Sequence, residues 1–294
     1  MALILDGKQM AAEIRSEVAG EVRMLAPLLG RSPGLHLLLV GNDAASEVYV
    51  RNKARDCEQV GIRSVVERMP TDTSQERVLA IIAEWNSNPA VDGILVQLPL
   101  PPHINEHAVI EAISPEKDVD GFHPMNAGRL LIGQKGFAPC TPAGIMEMLR
   151  RGNIEVAGKH AVVVGRSNIV GKPMSVLLAR KAALGNATVT MCHTGTPDIA
   201  KFTIDADIII AAVGRVNTIT ARHVKPGAVI IDVGMNRIVA ADGRERLTGD
   251  VDYETVAPLA GAITPVPGGV GPMTRAMLLV NTLQAAQQSI EGGR

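Results

Sequence analysis

Aromatic residues are scarce in this chain: three Phe, two Tyr and one Trp serve 294 residues, 2% of the total. A protein that binds single-stranded nucleic acid by stacking needs more such surfaces. An excess of one charge is missing too. Lys plus Arg number 29 against 30 for Asp plus Glu, a net charge of -1. That lacks the electrostatic footprint of a non-specific nucleic-acid binder. No run approaches the ~20 apolar residues that a membrane span requires. The longest candidate, Ile208 to Val213, is strand-sized. The N-terminus meets Asp6 and Lys8 too early for the apolar core of a secretion signal. Cys57, Cys140 and Cys192 are odd in number and scattered, with no CxxC spacing. Such a set reads as reduced thiols in a cytoplasmic protein. His103 and His107 could share a helical face, but nothing like HExxH surrounds them, and no metal is expected.

What remains is an aliphatic chain. Hydrophobic residues make up 46% and charged residues 20%, enough for a core of Ala, Val, Ile, Leu and Met. At ~150 residues per domain the length suggests two domains. Short apolar runs alternate with helical patterns from end to end. Leu35–Val40, Ser64–Met69 and Val91–Leu98 read as strands in the first half, with helices over Ala44–Val60 and Ser74–Asn86. In the second half Ala161–Gly165, Thr188–Cys192, Asp207–Val213 and Ala228–Val233 read as strands. Helices are expected over Thr141–Arg151, Val170–Leu184 and Met273–Ser289. Strands separated by helices imply right-handed βαβ units and parallel sheets. The expected fold is therefore two α/β domains with a cleft between them, the second a Rossmann-type doubly wound parallel sheet. We place the first domain at 1–139, completed by a C-terminal helix over 273–294, and the second at 140–272.

The segment Ala161-Val-Val-Val-Gly165-Arg166-Ser167-Asn168-Ile169-Val170-Gly171 reads as a strand, a glycine turn and a helix start. Gly165 permits the tight turn and Gly171 a close approach of helix to strand. Free N–H groups at such a helix start favour a phosphate. The spacing is not strictly GxGxxG, and an ordinary strand-to-helix turn has the same outline. The next strand sharpens the reading. A dinucleotide site usually carries an acid ~20 residues on, against the ribose hydroxyl. Here that place holds Cys192-His193-Thr194, and Arg166 directly follows the first glycine. A guanidinium can fork onto a phosphate. Arg166, helped by Thr194, therefore predicts NADP. Val213-Gly214 and Val233-Gly234 follow two further strands, at the sheet edge where cofactors lie.

Tyr49 and Lys53 are i and i+4, so they share one helical face beside an apolar stripe of Val50, Ala54 and Cys57. An amine kept partly dry exchanges protons more readily near neutrality. Read alone, such a pair is more often an ordinary helix-surface pair. Gln97 ends a strand just before a stiff proline loop. In Lys117-Asp118-Val119-Asp120-Gly121-Phe122, an Asp can accept two parallel N–H bonds from an aminopyrimidinone edge, or simply cap a turn. Pro265-Val-Pro-Gly-Gly269-Val270-Gly-Pro-Met-Thr274 is a rigid loop whose glycines let backbone approach a flat ligand.

These motifs, taken in order with Leu5-Asp-Gly-Lys8, resemble the bifunctional methylenetetrahydrofolate dehydrogenase/methenyltetrahydrofolate cyclohydrolase family over nearly the whole chain. The absence of a transit segment or synthetase extension suggests the short bacterial form. The resemblance implies that NADP+ takes hydride from 5,10-methylenetetrahydrofolate, and that water then opens the methenyl product to 10-formyltetrahydrofolate. It implies Lys53 as the essential acid/base, Tyr49 stacked on the folate beside it, and Gln97 holding the lysine. Asp120 would anchor the pterin, and Gly269 and Val270 would add backbone contacts to folate. Gly165, Arg166, Ser167, Gly171, Thr194, Val213, Gly214 and Val233 would form the cofactor site. A cytoplasmic homodimer joined through the cofactor domain is implied as well, with no nucleic-acid or membrane partner. Two other readings stay open on the residues alone. One is a monofunctional NADP-dependent dehydrogenase of the same fold, and the other a nucleotide sensor without turnover.

Overall fold

The computed structural model describes residues 2–239, 243 and 245–291. The last three residues of the helix expected to reach 294 lie outside these, as do Met1 and parts of 240–244. In chain order the elements are β1 (Leu3–Ile4), α1 (Gly7–Leu29), β2 (Gly34–Val40), α2 (Ala44–Val60), β3 (Arg63–Met69), α3 (Gln75–Ser87), β4 (Gly93–Val96), α4 (Glu106–Ala112), α5 (Pro124–Leu131) and α6 (Cys140–Arg151). They continue as β5 (His160–Val164), α7 (Gly171–Ala179), β6 (Thr188–Cys192), α8 (Ala200–Thr203), β7 (Ile208–Ala211), β8 (Val229–Asp232), β9 (Asn236–Val239), β10 (Glu245–Thr248), α9 (Tyr253–Val256), β11 (Ala262–Ile263) and α10 (Val270–Glu291).

The chain divides into two compact units. One joins the segment ending at Ala11 to Thr141–Thr274; the other joins Ala12–Cys140 to the segment starting at Arg275. The sequence had placed residues up to 139 together, so the N-terminus differs. The cause is a parallel pairing of β1 with β11, Leu3 opposite Ala262 and Ile4 opposite Ile263, which draws the start of the chain into the later unit.

The unit of Ala12–Cys140 holds a parallel sheet in the order β3-β2-β4. Leu35, Leu37, Leu38, Ile94 and Leu95 are all buried, as expected of a parallel sheet covered on both faces. The helix expected over 74–86 is α3, capped by the Ser74 hydroxyl, and Val78, Ile81, Ile82 and Trp85 are its buried face. For α2, the Asp43 carboxylate accepts from Ser46 N at 2.7 Å, and Gly61 ends the helix with a left-handed φ of 82°. The order of strands reverses at β2: β3 follows on one side, β4 on the other. The loops leaving β2 and β4 therefore share one carboxyl edge, where open α/β sheets bind their ligands.

The other unit carries a six-stranded parallel sheet, β1-β11-β8-β7-β5-β6. Its reversal lies at β5, with β6 on one side and β7 on the other. Val162, Val164, Ile209, Ala211, Ile230 and Ile263 form its core. β9 and β10 pair as a separate antiparallel hairpin. The helix expected over 170–184 is shorter, ending at Ala179. The closing helix is longer than expected, starting at Val270 rather than Met273.

Buried carboxylates tie the strand ends to the loops. Asp92 accepts from Arg31 at 2.6 and 2.8 Å and from Gly34 N at 2.7 Å. Asp118 accepts from Phe122 N, His123 N and the Asn126 amide. Asp232 accepts from Gly234 N, Asp250 N and Val251 N. Burial outweighs these donors and pushes both the Asp118 and the Asp232 carboxyls up to about 6. In the unfolded chain each returns to about 3.9. The folded state therefore holds these protons more tightly, and the contribution of both groups to stability falls as pH rises from about 4 through about 6. Carbon-13 carboxyl NMR should show two aspartates with midpoints near pH 6, one lost in Asp118→Asn and the other in Asp232→Asn. Midpoints below about 4.5 for every aspartate would contradict the burial argument.

Candidate active site

Tyr49 and Lys53 stand one turn apart on α2, beside the buried stripe of Val50 and Cys57. Lys53 Nζ donates to Gln97 Oε1 at 3.1 Å. Gln97 follows β4 directly, and its own Nε2 donates to Leu98 O at 2.7 Å. That second bond fixes which end of the amide faces the lysine: the oxygen does. The backbone of Gln97 is pinned as well, by a 2.9 Å bond to Leu38 O of β2. Helix and glutamine thus meet across the strand reversal described above.

The two aspartates of the acidic loop have separate tasks. Asp118 is consumed by the donors that shape the loop. Asp120 lies beside Lys53 and Cys140. Burial pushes its carboxyl up, while the lysine charge and a hydrogen bond with the Cys140 thiol pull it down. Burial likewise pushes the Cys140 thiol well above its ordinary range and the Cys57 thiol up to about 12, so both stay protonated. Gly121 turns the chain at φ 77°; a Cβ there would come within 2.6 Å of the Ala138 carbonyl carbon and Pro139 N. Tyr49, Lys53, Gln97 and Asp120 all belong to the Ala12–Cys140 unit.

The remaining expected residues lie in the other unit. Gly165 closes β5 with φ 136°, and a Cβ on it would run into Ala212 O. A Cβ on Gly171 would meet the Gly165 carbonyl, so these two glycines allow the close packing foreseen for them. Arg166 Nη2 donates to Thr194 Oγ1 at 3.4 Å, both exposed. The expectation of free amides at the start of α7 needs correcting. Ser167 Oγ accepts from Val170 N and Gly171 N, Ser167 O accepts from Lys172 N, and Pro173 has no N–H. A phosphate in this turn has to be met by the Gly165–Ile169 loop, or has to displace the Ser167 hydroxyl. At the end of β7 the amides of Val213 and Gly214 are held by Asp250 Oδ2 at 2.6 and 2.9 Å, and Val233 N bonds to Ala211 O. Asp250 escaped the sequence reading. Its signal was an Asp following Gly249 near a strand end, which is too common to single out.

The proline and glycine loop is held from the N-terminal side. A Cβ on Gly7 would strike Gly269 O, and Gly268 (φ 113°) lies against Lys8. Val266–Pro267 and Leu98–Pro99 are both cis. Val270 is buried, so any contact from it to a ligand is made by its backbone. Thr274 and Thr141 hydroxyls meet at 2.9 Å beyond the loop.

Comparison with known proteins divides the chain in sequence order. Residues 5–120 match the family model for the tetrahydrofolate dehydrogenase/cyclohydrolase catalytic domain, and 139–290 match its NAD(P)-binding domain. The chain is 57% identical over 286 residues to the bifunctional protein FolD of Chlorobium phaeobacteroides, covering 96% of this chain and 97% of that one. It superposes on the crystal structure of the bifunctional methylenetetrahydrofolate dehydrogenase/cyclohydrolase of Campylobacter jejuni with a TM-score of 0.93 and 45% identity, covering 98% and 99% of the two chains. The Trypanosoma brucei enzyme, solved with NADP cofactor and an inhibitor, gives 0.92 at 39% identity and 98% coverage of both chains. Two domain models spanning most of the sequence, together with relatives matched almost end to end, show that the chain belongs to the tetrahydrofolate dehydrogenase/cyclohydrolase family.

Proposed function

We propose that this chain oxidises 5,10-methylenetetrahydrofolate with NADP+ and hydrolyses the 5,10-methenyl product to 10-formyltetrahydrofolate, with Lys53 as the acid/base group. The observation that carries the reading is the Lys53–Gln97 hydrogen bond beside Asp120. It sets a primary amine, an amide acceptor and a carboxyl together at a sheet's carboxyl edge. Asp120 is the loop carboxylate not consumed by the loop itself, which suits it to the pterin's amino and ring N–H donors. Tyr49 borders the lysine one turn away and supplies a face for the folate ring.

The residues of the other unit fit a phosphorylated dinucleotide. Gly165 and Gly171 keep backbone where a side chain would intrude, and Gly214, Val213 and Val233 line the adjoining strand ends. Arg166 beside Thr194, with no carboxylate at Cys192-His193-Thr194, suits a 2′-phosphate and would be repelled by nothing nearby in that segment. The Ser167 oxygen accepts from Val170 N and Gly171 N, which leaves its hydroxyl hydrogen for a phosphate. When bound, NADP+ accepts the hydride that leaves the one-carbon bridge.

The chain's own chemistry is proton management. In the hydrolytic step water adds to the methenyl carbon, and a carbon–nitrogen bond of the ring breaks. On the way to the formyl group the oxygen loses both of its protons, the departing nitrogen gains one, and one is released to solvent. Lys53 Nζ serves these transfers, and Gln97 Oε1 holds the amine toward them. A cytoplasmic homodimer joined through the cofactor unit belongs to the same reading. The exposed apolar side chains Val239 and Leu247 of the β9–β10 hairpin offer it surface.

The test follows the methenyl absorbance and NADPH together. With NADP+ and methylenetetrahydrofolate the wild-type chain should form NADPH while methenyl product stays low. Lys53→Met should lose about 100- to 10,000-fold in hydrolysis and accumulate methenyl product. Lys53→Arg should fail equally, because a guanidinium keeps its proton. Hydrolysis at the normal rate in either variant would overturn the role of Lys53. Absence of NADPH formation by the wild-type chain would overturn the whole reading.

A further inference from the structure

We propose that Asn281, on α10, is a positioning residue that fixes the Asp120 carboxyl and thereby sets the affinity for folate. This rests on the reading of Asp120 as the pterin anchor. Asn281 is 5% exposed and points into the loop region from outside the motifs that define the site. Its Nδ2 donates to Val119 O at 2.8 Å and to Ala138 O at 3.1 Å, and lies 3.6 Å from Cys140 Sγ. The two carbonyls belong to different segments, one immediately before Asp120, the other two residues before Cys140. One side chain therefore bridges the loop that carries the carboxylate and the segment that carries the thiol beside it.

The rest of the packing makes that bridge decisive. The Cys140 thiol donates to Val119 O at 3.3 Å, so this carbonyl receives a donor on each lone pair. Burial keeps that thiol protonated, and the Asp120 carboxyl lies beside its sulfur. Gly121 lets the loop press against Ala138 and Pro139, where any side chain would collide with backbone. Asp118 fixes the far side of the loop, and Asn281 fixes the near side. The helix that carries Asn281 also carries Arg275, whose Nη1 lies 3.0 Å from the buried Asp56 of α2. Lys53 and Asp120 are thus both referenced to one helix, the first through the ion pair and the second through the amide. An amide in this place does more than satisfy itself. Removing it takes a donor from Ala138 O, leaves Val119 O with the Cys140 thiol alone, and frees Asp120 to shift by the fraction of an ångström that bidentate recognition does not tolerate.

The test compares Asn281→Leu, which keeps the volume and removes both donors, with Asn281→Ser, which keeps one. The folate KM of the dehydrogenase step should rise about tenfold in the first and less in the second, the size expected for about one lost hydrogen bond. The KM for NADP+ should be unchanged and kcat should fall less than the folate KM rises. A simple loss of core packing would not give that split between the two substrates. Should the Leu variant fail to fold, the Ser variant reads the same split at smaller amplitude. A folate KM within twofold of wild type in the folded variants would overturn the proposal, as would equal rises for both substrates. Asp120→Ala distinguishes the two levels. If it leaves the folate KM unchanged, the pterin-anchor reading itself fails. If it raises that KM while the Asn281 variants do not, only the positioning role fails.

Discussion

The hydrogen bond from the Lys53 ammonium to Gln97 Oε1 joins residues 44 positions apart, and most of what surrounds it exists to hold its two ends. On one side, α2 is capped by Asp43, closed by Gly61 and anchored through Asp56 to Arg275. On the other, Gln97 is held by its backbone to Leu38 and by its side-chain amide to Leu98 O. An amine needs such restraint, since a free lysine spreads over many rotamers and its entropy would be lost again at each turnover. Gln97 is an uncharged acceptor, so this bond holds the amine without taking its proton.

The same topological rule operates twice. In each unit the strand order reverses, at β2 in one and at β5 in the other, and in each several residues read as functional lie on the segments that leave the strands at that point. Lys53 follows β2 and Gln97 follows β4; Gly165 follows β5 and Val213 follows β7. The loops are then stiffened by different means. In the Ala12–Cys140 unit carboxylates and an asparagine collect backbone amides and carbonyls. In the other, Asp232 and Asp250 collect the amides at the ends of β7 and β8.

Much of this was legible in the sequence because the signals are local. Capping residues, the apolar face of α3 and the valine and isoleucine runs of β5, β7 and β8 announce themselves within a few positions. The pairing of Tyr49 with Lys53 needs only helical spacing. What was not legible depends on distant partners. β1 and β11 are two residues each, too short to announce themselves, and their pairing draws the start of the chain against the unit of Thr141–Thr274. Asn281 and Asp250 are ordinary polar residues until the fold shows which backbone groups they meet. The amides at the start of α7 were expected to be free because residue types do not reveal that Ser167 occupies them. By contrast α1 was missed without such an excuse: Ala11, Ile14, Val18, Val22 and Leu25 are all buried and recur with helical spacing.

The claim at the centre is that a primary amine at one position carries the hydrolytic chemistry, and it can be tested by removing that amine and putting it back. Lys53→Cys should leave methenyl hydrolysis at the level of a chain without the group. Treatment with 2-bromoethylamine then builds an aminoethyl thioether of nearly the length of lysine, while Cys57, Cys140 and Cys192 are buried and shielded from the reagent. Recovery of hydrolysis to within about tenfold of the wild-type rate, with no recovery after alkylation by an uncharged reagent, is the expected result. Hydrolysis by the untreated Cys variant at the wild-type rate, or a restored amine that leaves the chain inactive while folate still binds, would contradict it.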